Sequence, residues 1–359
     1  MKTRPWGKRL VLGLVVAGLG LSRPAQAVEP TASIWPRIAE GMQLNGSSRT
    51  DVSAAAHYYA KHQRHLINTL NRSEPYLWHI VHAVEQRGMP MEVALLPALE
   101  SGFNADASSS RQASGLWQLM PGTARVLGLK DSADYNARRD PLASTDAALQ
   151  YLNRLHDIYG DWLLALAAYN AGELRVNHEI KVAGSRNFWS LKLPKETRRQ
   201  VAHLLGLAQV IRKPGRYGVS LPDIPDNPIT EIVVLDQPRD LALASTEVGV
   251  PHASMASYNP GLRSLSNSGG QRALLLLPSD ARKLRAELDR NDYLPSKSSA
   301  TVSTHKTVVN RKHRIKPGDN LWMIARRHGI TVSQLKTWNH LPDNAVLKPG
   351  RQLIVASRQ

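Results

Sequence analysis

The sequence predicts an α+β multidomain chain: an all-helical domain followed by two small strand–helix–helix–strand modules. Three observations carry this. From Asp51 to about residue 213 apolar residues recur at helical spacing, with almost no strand signal. At "YGVSLPDIPDNP" the composition changes, and three prolines in a short stretch mark a domain edge. Beyond it two segments repeat one pattern at a constant offset: Leu241 meets Leu321, Gly249 meets Gly329, Val250 meets Ile330, Met255 meets Leu335, Tyr258 meets Trp338 and Asn259 meets Asn339.

The elements follow in order. "DVSAAAHYYAKHQRHLINTLNR" reads as one helix from Asp51, and "EPYLWHIVHAVEQ" as a second, with Pro75 near its start. "RGMP" breaks the pattern. "MEVALLPALE" is helical in composition but for Pro97. Asp140 and Pro141 supply an N-cap and a proline at the first helical position. Leu142, Ala148, Leu149, Leu152, Leu155 and Tyr159 then fall at helical spacing, Asp161 caps the next helix, and one more follows Pro194. "EIVVL" and "RALLLLP" read as strands, and "PSKSSATVSTHKTVVNR" as a linker. The divisions are 1–27, an N-terminal targeting segment; 28–74, a helical flank; 75–217, the helical domain; 225–292, the first module; 293–310, the linker; and 311–357, the second module.

Residues 1–27 carry Lys2, Arg4, Lys8 and Arg9, then the apolar run Leu10 to Leu21, then Ala25-Gln26-Ala27. This is the pattern of a secretory signal peptide, and the run is short for a membrane span. The expectation is a periplasmic protein with no stable membrane span after signal cleavage, with peripheral association to membrane or wall left open. The absence of cysteine excludes disulfides, thiolate metal sites, a cysteine nucleophile and a lipid-modified N-terminal cysteine. The formal net charge is +17, and five basic residues with no acidic one lie in 1–27. An exported basic chain suits an anionic partner outside the cytoplasm, and the carboxylates of the cell wall fit. No aromatic-basic motif for nucleic acid occurs. The 13 histidines show no metal-ligand spacing, so neither metal nor cofactor is expected. Protein partners are not legible.

The stretch "ALLPALESGFNADASSSRQASGLWQLMPGTA" joins an apolar helical run, ending on Glu100, to a loop of Ser, Ala, Gly and Gln. A carboxylate among Leu95, Leu96 and Leu99 is partly desolvated, which disfavours its charged form. The negative end of a helix pushes the same way. A carboxylic acid kept protonated near neutral pH is a general acid. Read alone, Glu100 is a solvated side chain at a helix end before it is an acid, and the residues that follow tilt the balance.

The blocks "LLPALESGFNADASS", "ASGLWQLMPGTARVLGL", "YNARRDPLASTDAAL" and "GDWLLALAAYNAGELRV" occur in this order. Together they resemble the lysozyme-like lytic transglycosylases of bacteria, most of all the membrane-bound lytic murein transglycosylase D group, over about residues 75–217. The resemblance implies an all-α lysozyme-like domain that cleaves the β-1,4 bond between N-acetylmuramic acid and N-acetylglucosamine. It also implies that the cleavage proceeds without water and leaves a 1,6-anhydro end on the muramic acid. Glu100 matches the family's catalytic acid. Ser109 matches the serine beside the acetamido group, Gln118 and Met120 the loop glutamine and methionine, and Tyr169 and Asn170 the tyrosine–asparagine pair. Ser101, which follows the acid, joins the substrate-binding set. Where the family's helix reads Glu-Thr-x-x-Tyr-Val, this chain has Gln200 in place of the tyrosine. Trp117, Phe103 and Tyr151 are candidates for a sugar-stacking face, against a core role for each.

"HRIKPGDNLWMIARRHGITVSQLKTWNHLPDNAVLKPGRQLIV" resembles a LysM domain over nearly its whole length. That resemblance implies binding of N-acetylglucosamine-containing glycan by Gly318, Asp319, Asn320 and Leu321 together with Leu347, Lys348, Pro349 and Gly350. Asp319 is also a plausible helix cap. The segment 225–292 keeps the frame but has Gln237-Pro238-Arg239-Asp240 for the Pro-Gly-Asp loop, so it reads as a degenerate LysM-like module without a binding role. The leading expectation is a peptidoglycan lytic transglycosylase. A muramidase-type hydrolase giving reducing ends and a non-catalytic cell-wall scaffold remain as alternatives.

Overall fold

In the computed structural model the described residues are 32–267 apart from 45 and 47, then 272–291, and in the last module 311–316, 319, 321–328, 330, 332–341, 345 and 347–356. The targeting segment assigned to 1–27 and the linker assigned to 293–310 lie outside them. Among the described residues no helix is long and apolar enough to cross a membrane.

Among the described residues ten α-helices precede any strand: α1 Ile34–Glu40, α2 Thr50–Lys61, α3 Gln63–Asn71, α4 Glu74–Glu85, α5 Leu96–Glu100, α6 Pro121–Val126, α7 Pro141–Tyr159, α8 Trp162–Ala171, α9 Glu173–Ala183 and α10 Lys195–Arg212. Their boundaries follow local chemistry. Asp140 accepts hydrogen bonds from the amides of Leu142 and Ala143, each at 2.8 Å, and opens α7 as expected. Gly160, at φ +63°, closes it in the left-handed conformation. Asp161 accepts from the amide of Leu164 at 2.9 Å and opens α8.

Two expected helices are each divided. The run from Asp51 breaks at His62, whose backbone sits at φ −108°, ψ 42° between α2 and α3. No glycine or proline lies there, and the His62 ring bonds the Tyr58 carbonyl at 2.8 Å. "MEVALLPALE" forms a 3₁₀ helix, Met91–Leu95, and then restarts as α5. Pro97 falls in the first turn of α5, where a missing N–H leaves no bond unmade.

One hydrophobic core serves the helical domain, and the flank before it belongs to that core. Ile34, Trp35, Ile38, Val52 and Ala56 pack in one cluster with Leu204 and Leu205 of α10. The α2–α10 crossing is close because position 206 is glycine. A Cβ there would lie 2.7 Å from the Cβ of Ala55 and 2.8 Å from the amide nitrogen of Ala56.

After the helical domain come β1 Glu231–Leu235, β2 Arg239–Asp240, α11 Leu241–Glu247, α12 His252–Tyr258, β3 Ser266–Asn267, β4 Arg272–Leu276 and α13 Pro278–Asn291. The strands β1 and β4 pair antiparallel from Glu231↔Leu276 to Leu235↔Arg272. The last module has β5 Arg311–Arg314, α14 Leu321–His328, α15 Val332–Asn339 and β6 Gln352–Ala356, with β5 antiparallel to β6. Matched asparagines hold the two frames together in the same way. Asn259 donates to the carbonyls of Met255 and Leu275 and accepts from the amide of Leu275. Asn339 donates to Leu335 and Ile354 and accepts from Ile354. A side-chain amide satisfied on both sides welds the second helix to the strand that pairs with the first in each module. The helix α13 has no counterpart in the pattern read from the sequence.

Gly206→Val should push α2 from α10 and lower stability by about 1–3 kcal/mol, measured as a fall in denaturant midpoint. An unchanged midpoint would show that the crossing relaxes freely.

Candidate active site

The site is built on α5. Leu95, Leu96 and Pro97 bury this short helix in the core, and Glu100 is its last residue, partly covered. The chain then turns sharply. The amides of both Ser101 and Phe103 return to the carbonyl of Pro97 at 3.1 Å. Gly102 and Phe103 both have positive φ, +60° and +56°. For Phe103 this costs on the order of 1 kcal/mol or more, and burial of its ring in the core over-determines it. Arg72, just past α3, donates to the Gly102 carbonyl at 2.8 Å. The N-terminal flank therefore holds the turn beside the acid.

The loop after it roofs the site. Gly115, at φ +80°, donates its amide to the Ala107 carbonyl at 2.9 Å. A Cβ at Gly115 would lie 1.9 Å from the carbonyl oxygen of Arg138, so no other residue fits. Gln118 also has positive φ, +46°, and its side-chain nitrogen donates to the Gly115 carbonyl at 2.9 Å. Trp117 is wholly buried, its indole N–H donating to Thr145 Oγ1 at 2.9 Å. Its carbonyl accepts from the Tyr169 hydroxyl at 2.7 Å, which ties the loop to α8. The Ser101 hydroxyl donates to the Leu116 carbonyl at 2.9 Å, which ties it to α5.

The helix α10 completes the ring. Gln200 donates from its side-chain amide to Glu100 Oε1. One turn earlier, Thr197 Oγ1 donates to the side-chain carbonyl of Asn170 at 2.7 Å. Burial is the main cause that raises the Glu100 carboxyl, the Gln200 hydrogen bond works against it, and the charge of Glu196 adds to it; the group is pushed up to about 7. The helix end foreseen from the sequence belongs to a helix of only five residues, so desolvation is the stronger cause. The Tyr169 phenol is pushed well above its usual range by burial and then by Glu100, which keeps it neutral and a donor.

The structure thus bonds Gln200 to Glu100 and bonds Ser101, Gln118 and Tyr169 to the loop backbone, with Tyr169 near enough to feel the charge of Glu100. Asn170 stands exposed beside it. Ser109 is exposed on the loop, its hydroxyl accepting from the amide of Ala113 at 3.0 Å. Met120 is 43% exposed at the start of α6. Trp117 and Phe103 are buried core residues, and Tyr151 is partly buried against Tyr169. Glu173 pairs with Arg154 at 3.5 Å and Asp106 with Arg139 at 3.6 Å. Reading the sequence missed Thr197, which orients Asn170, and Glu92. The Glu92 carboxylate is fully buried, and it accepts from the amides of Leu44 at 2.9 Å and Gln43 at 3.1 Å. A glutamate inside "MEVALL" was the available signal.

In the last module Asp319 is buried. It accepts from the Lys316 amide at 2.8 Å and from Arg327 at 3.1 Å, and lies 2.6 Å from His313 Nε2. Burial alone would raise its carboxyl, but those bonds hold it below the usual range. The Gly350 amide donates to the Ile315 carbonyl at 2.8 Å, so the two loops named for glycan binding lie side by side. Leu321 and Leu347 are half-buried there, and Lys348, Pro349 and Gly350 exposed. Gly318 and Asn320 lie outside the described residues.

The helical domain carries the desolvated Glu100 and is followed by a LysM frame, and comparison with known proteins assigns the class, a lytic transglycosylase. The Transglycosylase SLT domain model matches residues 79–192 and the LysM domain model residues 313–356. The chain is 33% identical over 337 residues to the membrane-bound lytic murein transglycosylase D of Escherichia coli, covering 92% of this chain and 74% of that protein. It belongs to the membrane-bound lytic murein transglycosylase D family. It is also similar, 44% over 43 residues, to the N-acetylmuramoyl-L-alanine amidase XlyA of Bacillus subtilis, covering 12% of this chain and 14% of that one. Among solved structures it is similar to an inactive mutant of the lytic transglycosylase Slt of Pseudomonas aeruginosa, with 28% identity and a TM-score of 0.33, covering 41% of this chain and 25% of that one.

Turnover that needs protonated Glu100 should be present at acid pH and lost as pH rises through about 7, seen as the alkaline limb of kcat/KM. Glu196→Gln should move that limb down and Gln200→Leu should move it up. A limb unmoved by either change would assign it to another group. The raised carboxyl also has a stability consequence. Its contribution is fully present below the usual carboxylate range and fades as pH rises through about 7. Glu100→Gln should therefore match the wild-type Tm at pH 4 and exceed it at pH 8; equal Tm values at both would mean the group is not desolvated.

Proposed function

We propose that the chain cleaves the β-1,4 bond between N-acetylmuramic acid and N-acetylglucosamine of peptidoglycan and leaves a 1,6-anhydro muramyl end, with Glu100 as acid and then base. The observation that carries this is the Glu100 carboxyl, drawn out of water and pushed up to about 7, with the neutral Gln200 amide donating to it. Glu100 gives its proton to the glycosidic oxygen as the C1–O bond breaks. The 2-acetamido oxygen of the sugar stabilises C1, as in the substrate-assisted exceptions to two-carboxylate catalysis. The Glu100 carboxylate then takes the proton of the sugar's own C6 hydroxyl as O6 bonds C1. The attack is intramolecular, so its effective concentration is high and no water is consumed. Asp106 and Glu173 are paired with arginines, which supports a mechanism with one carboxylate.

Asn170, with its carbonyl oxygen taken by Thr197, would offer its amide N–H groups to the sugar. Ser109 and Met120 are exposed and would contact it directly. Ser101, Gln118 and Tyr169 would act chiefly by holding the loop, since the hydroxyl of Ser101, the amide nitrogen of Gln118 and the hydroxyl of Tyr169 donate to backbone carbonyls. Gln200 would hold Glu100 in the role left by the family tyrosine. The loops at Asp319 to Leu321 and Leu347 to Gly350 would bind glycan and keep the chain on the wall. The targeting pattern of 1–27 supports a periplasmic site of action. A hydrolytic reading is favoured by one observation, the charge of Glu196 acting on Glu100, since that carboxylate could activate a water.

Digestion of sacculi should release anhydro-muramyl products by mass spectrometry, unchanged in kind by Glu196→Gln. Reducing ends that disappear in Glu196→Gln would establish the hydrolase instead. Glu100→Gln should abolish turnover while sacculus binding persists; if wild type is equally inert, the protein is a scaffold.

A further inference from the structure

The module at 225–292 keeps the LysM-like frame, and its asparagine weld is intact. The turn that follows that asparagine packs onto residues 131–140 of the helical domain. The Gly261 carbonyl accepts from the Asn136 amide at 2.7 Å, and the Arg263 amide donates to the Asp134 carbonyl at 2.8 Å. The Arg263 side chain donates to the Ser132 carbonyl at 3.1 Å. A Cβ at Gly261 would stand 2.9 Å from both the Asn136 carbonyl oxygen and the Asp140 amide nitrogen, so only glycine permits this approach.

From there the contact continues toward the active site. The Arg272 guanidinium lies 3.9 Å from the Tyr135 ring centroid. The Tyr135 hydroxyl donates to Asp140, the cap of α7. On the far side of the same segment Arg138 donates to the carbonyl of Gln112 at 2.6 Å and to that of Leu119 at 3.3 Å. Its own carbonyl is the atom against which Gly115 sits. Arg139 donates to the Ser108 hydroxyl at 3.0 Å. The segment 131–140 is therefore a wedge, gripped by the module on one face and by the roof of the active site on the other.

We propose that the 225–292 module is a brace: its post-asparagine turn grips the wedge, and Gly261 and Arg263 are positioning residues that hold the loop 105–119 over Glu100. This rests on the assignment of Glu100 and its loop made above. A loop with left-handed Gln118 needs outside support to persist. Misplacement of such a loop acts on the chemical step rather than on wall affinity, which the last module supplies.

The test uses the full chain with Gly261→Val, which wedges the turn open, and Arg263→Ala, whose half-exposed side chain can be removed with little risk to the fold. The brace predicts that kcat on sacculi falls by about tenfold or more in Gly261→Val, with KM and sacculus binding nearly unchanged. It also predicts faster amide exchange at Gly115 and Leu119, with exchange in the core of α7 unchanged, and the same changes to a smaller degree in Arg263→Ala. Should Gly261→Val fail to fold, Arg263→Ala decides by the same readouts. Unchanged kcat and unchanged exchange at Gly115 and Leu119 would overturn the brace. So would lost sacculus binding with kcat retained, which would make the module a glycan binder. Amide exchange does not depend on turnover: faster exchange in a chain whose wild type is inert would keep the brace and refute the catalytic assignment instead.

Discussion

Taking the Glu100 carboxyl out of water imposes a demand on every element around it. A desolvated carboxyl with too many hydrogen-bond donors ionises, and with too few it is costly to bury. Here Gln200 donates to it, Glu196 stands near enough for its charge to be felt, and an apolar helix carries it. The shortness of α5 follows from the same demand. Pro97 restarts the helix one turn before the acid, and the turn at Gly102 and Phe103 ends it at once, so Glu100 lies at an edge of the core rather than within it. The N-terminal flank is drawn in too, through Arg72 at the turn and through α2 against Gly206 of α10.

The roof over the acid is rigid for reasons of backbone geometry. Its hydroxyl and amide side chains chiefly bond backbone carbonyls of the loop itself, and Gly115 rests on Arg138 with no room for a methyl group. Dipoles set in place before the reaction need not reorganise during it, which is where an enclosed polar loop gains over water. The two sister modules share the asparagine weld, and in the first the turn just after it is packed on the wedge at Gly261.

Gln200 is a substitution whose sense depends on three dimensions. A tyrosine would offer a ring and one hydroxyl; the glutamine offers an amide that reaches the acid without covering it by a ring. The hydrogen bond lowers the carboxyl while burial raises it, and the balance falls near neutrality. The position is occupied by a donor and is not vacated.

Local chemistry was legible in the sequence wherever it needs only neighbours along the chain. The caps at Asp140 and Asp161, the proline edges and the strands at Glu231 and Arg272 each rest on residues a few positions apart, and the repeat marked by Asn259 and Asn339 on one such local pattern occurring twice. The apolar setting of Glu100 was legible for the same reason. The break at His62 was not, because no glycine or proline marks it. Nor were the Thr197–Asn170 bond, the burial of Glu92, or the use of Ser101 and Tyr169 to hold backbone, since each joins groups from different segments. By itself the sequence determined which residues could be acid, cap, turn and weld. Only the tertiary structure decided how acidic Glu100 is and what the Gly261 turn rests on, because desolvation and close approach come from atoms far apart in the chain.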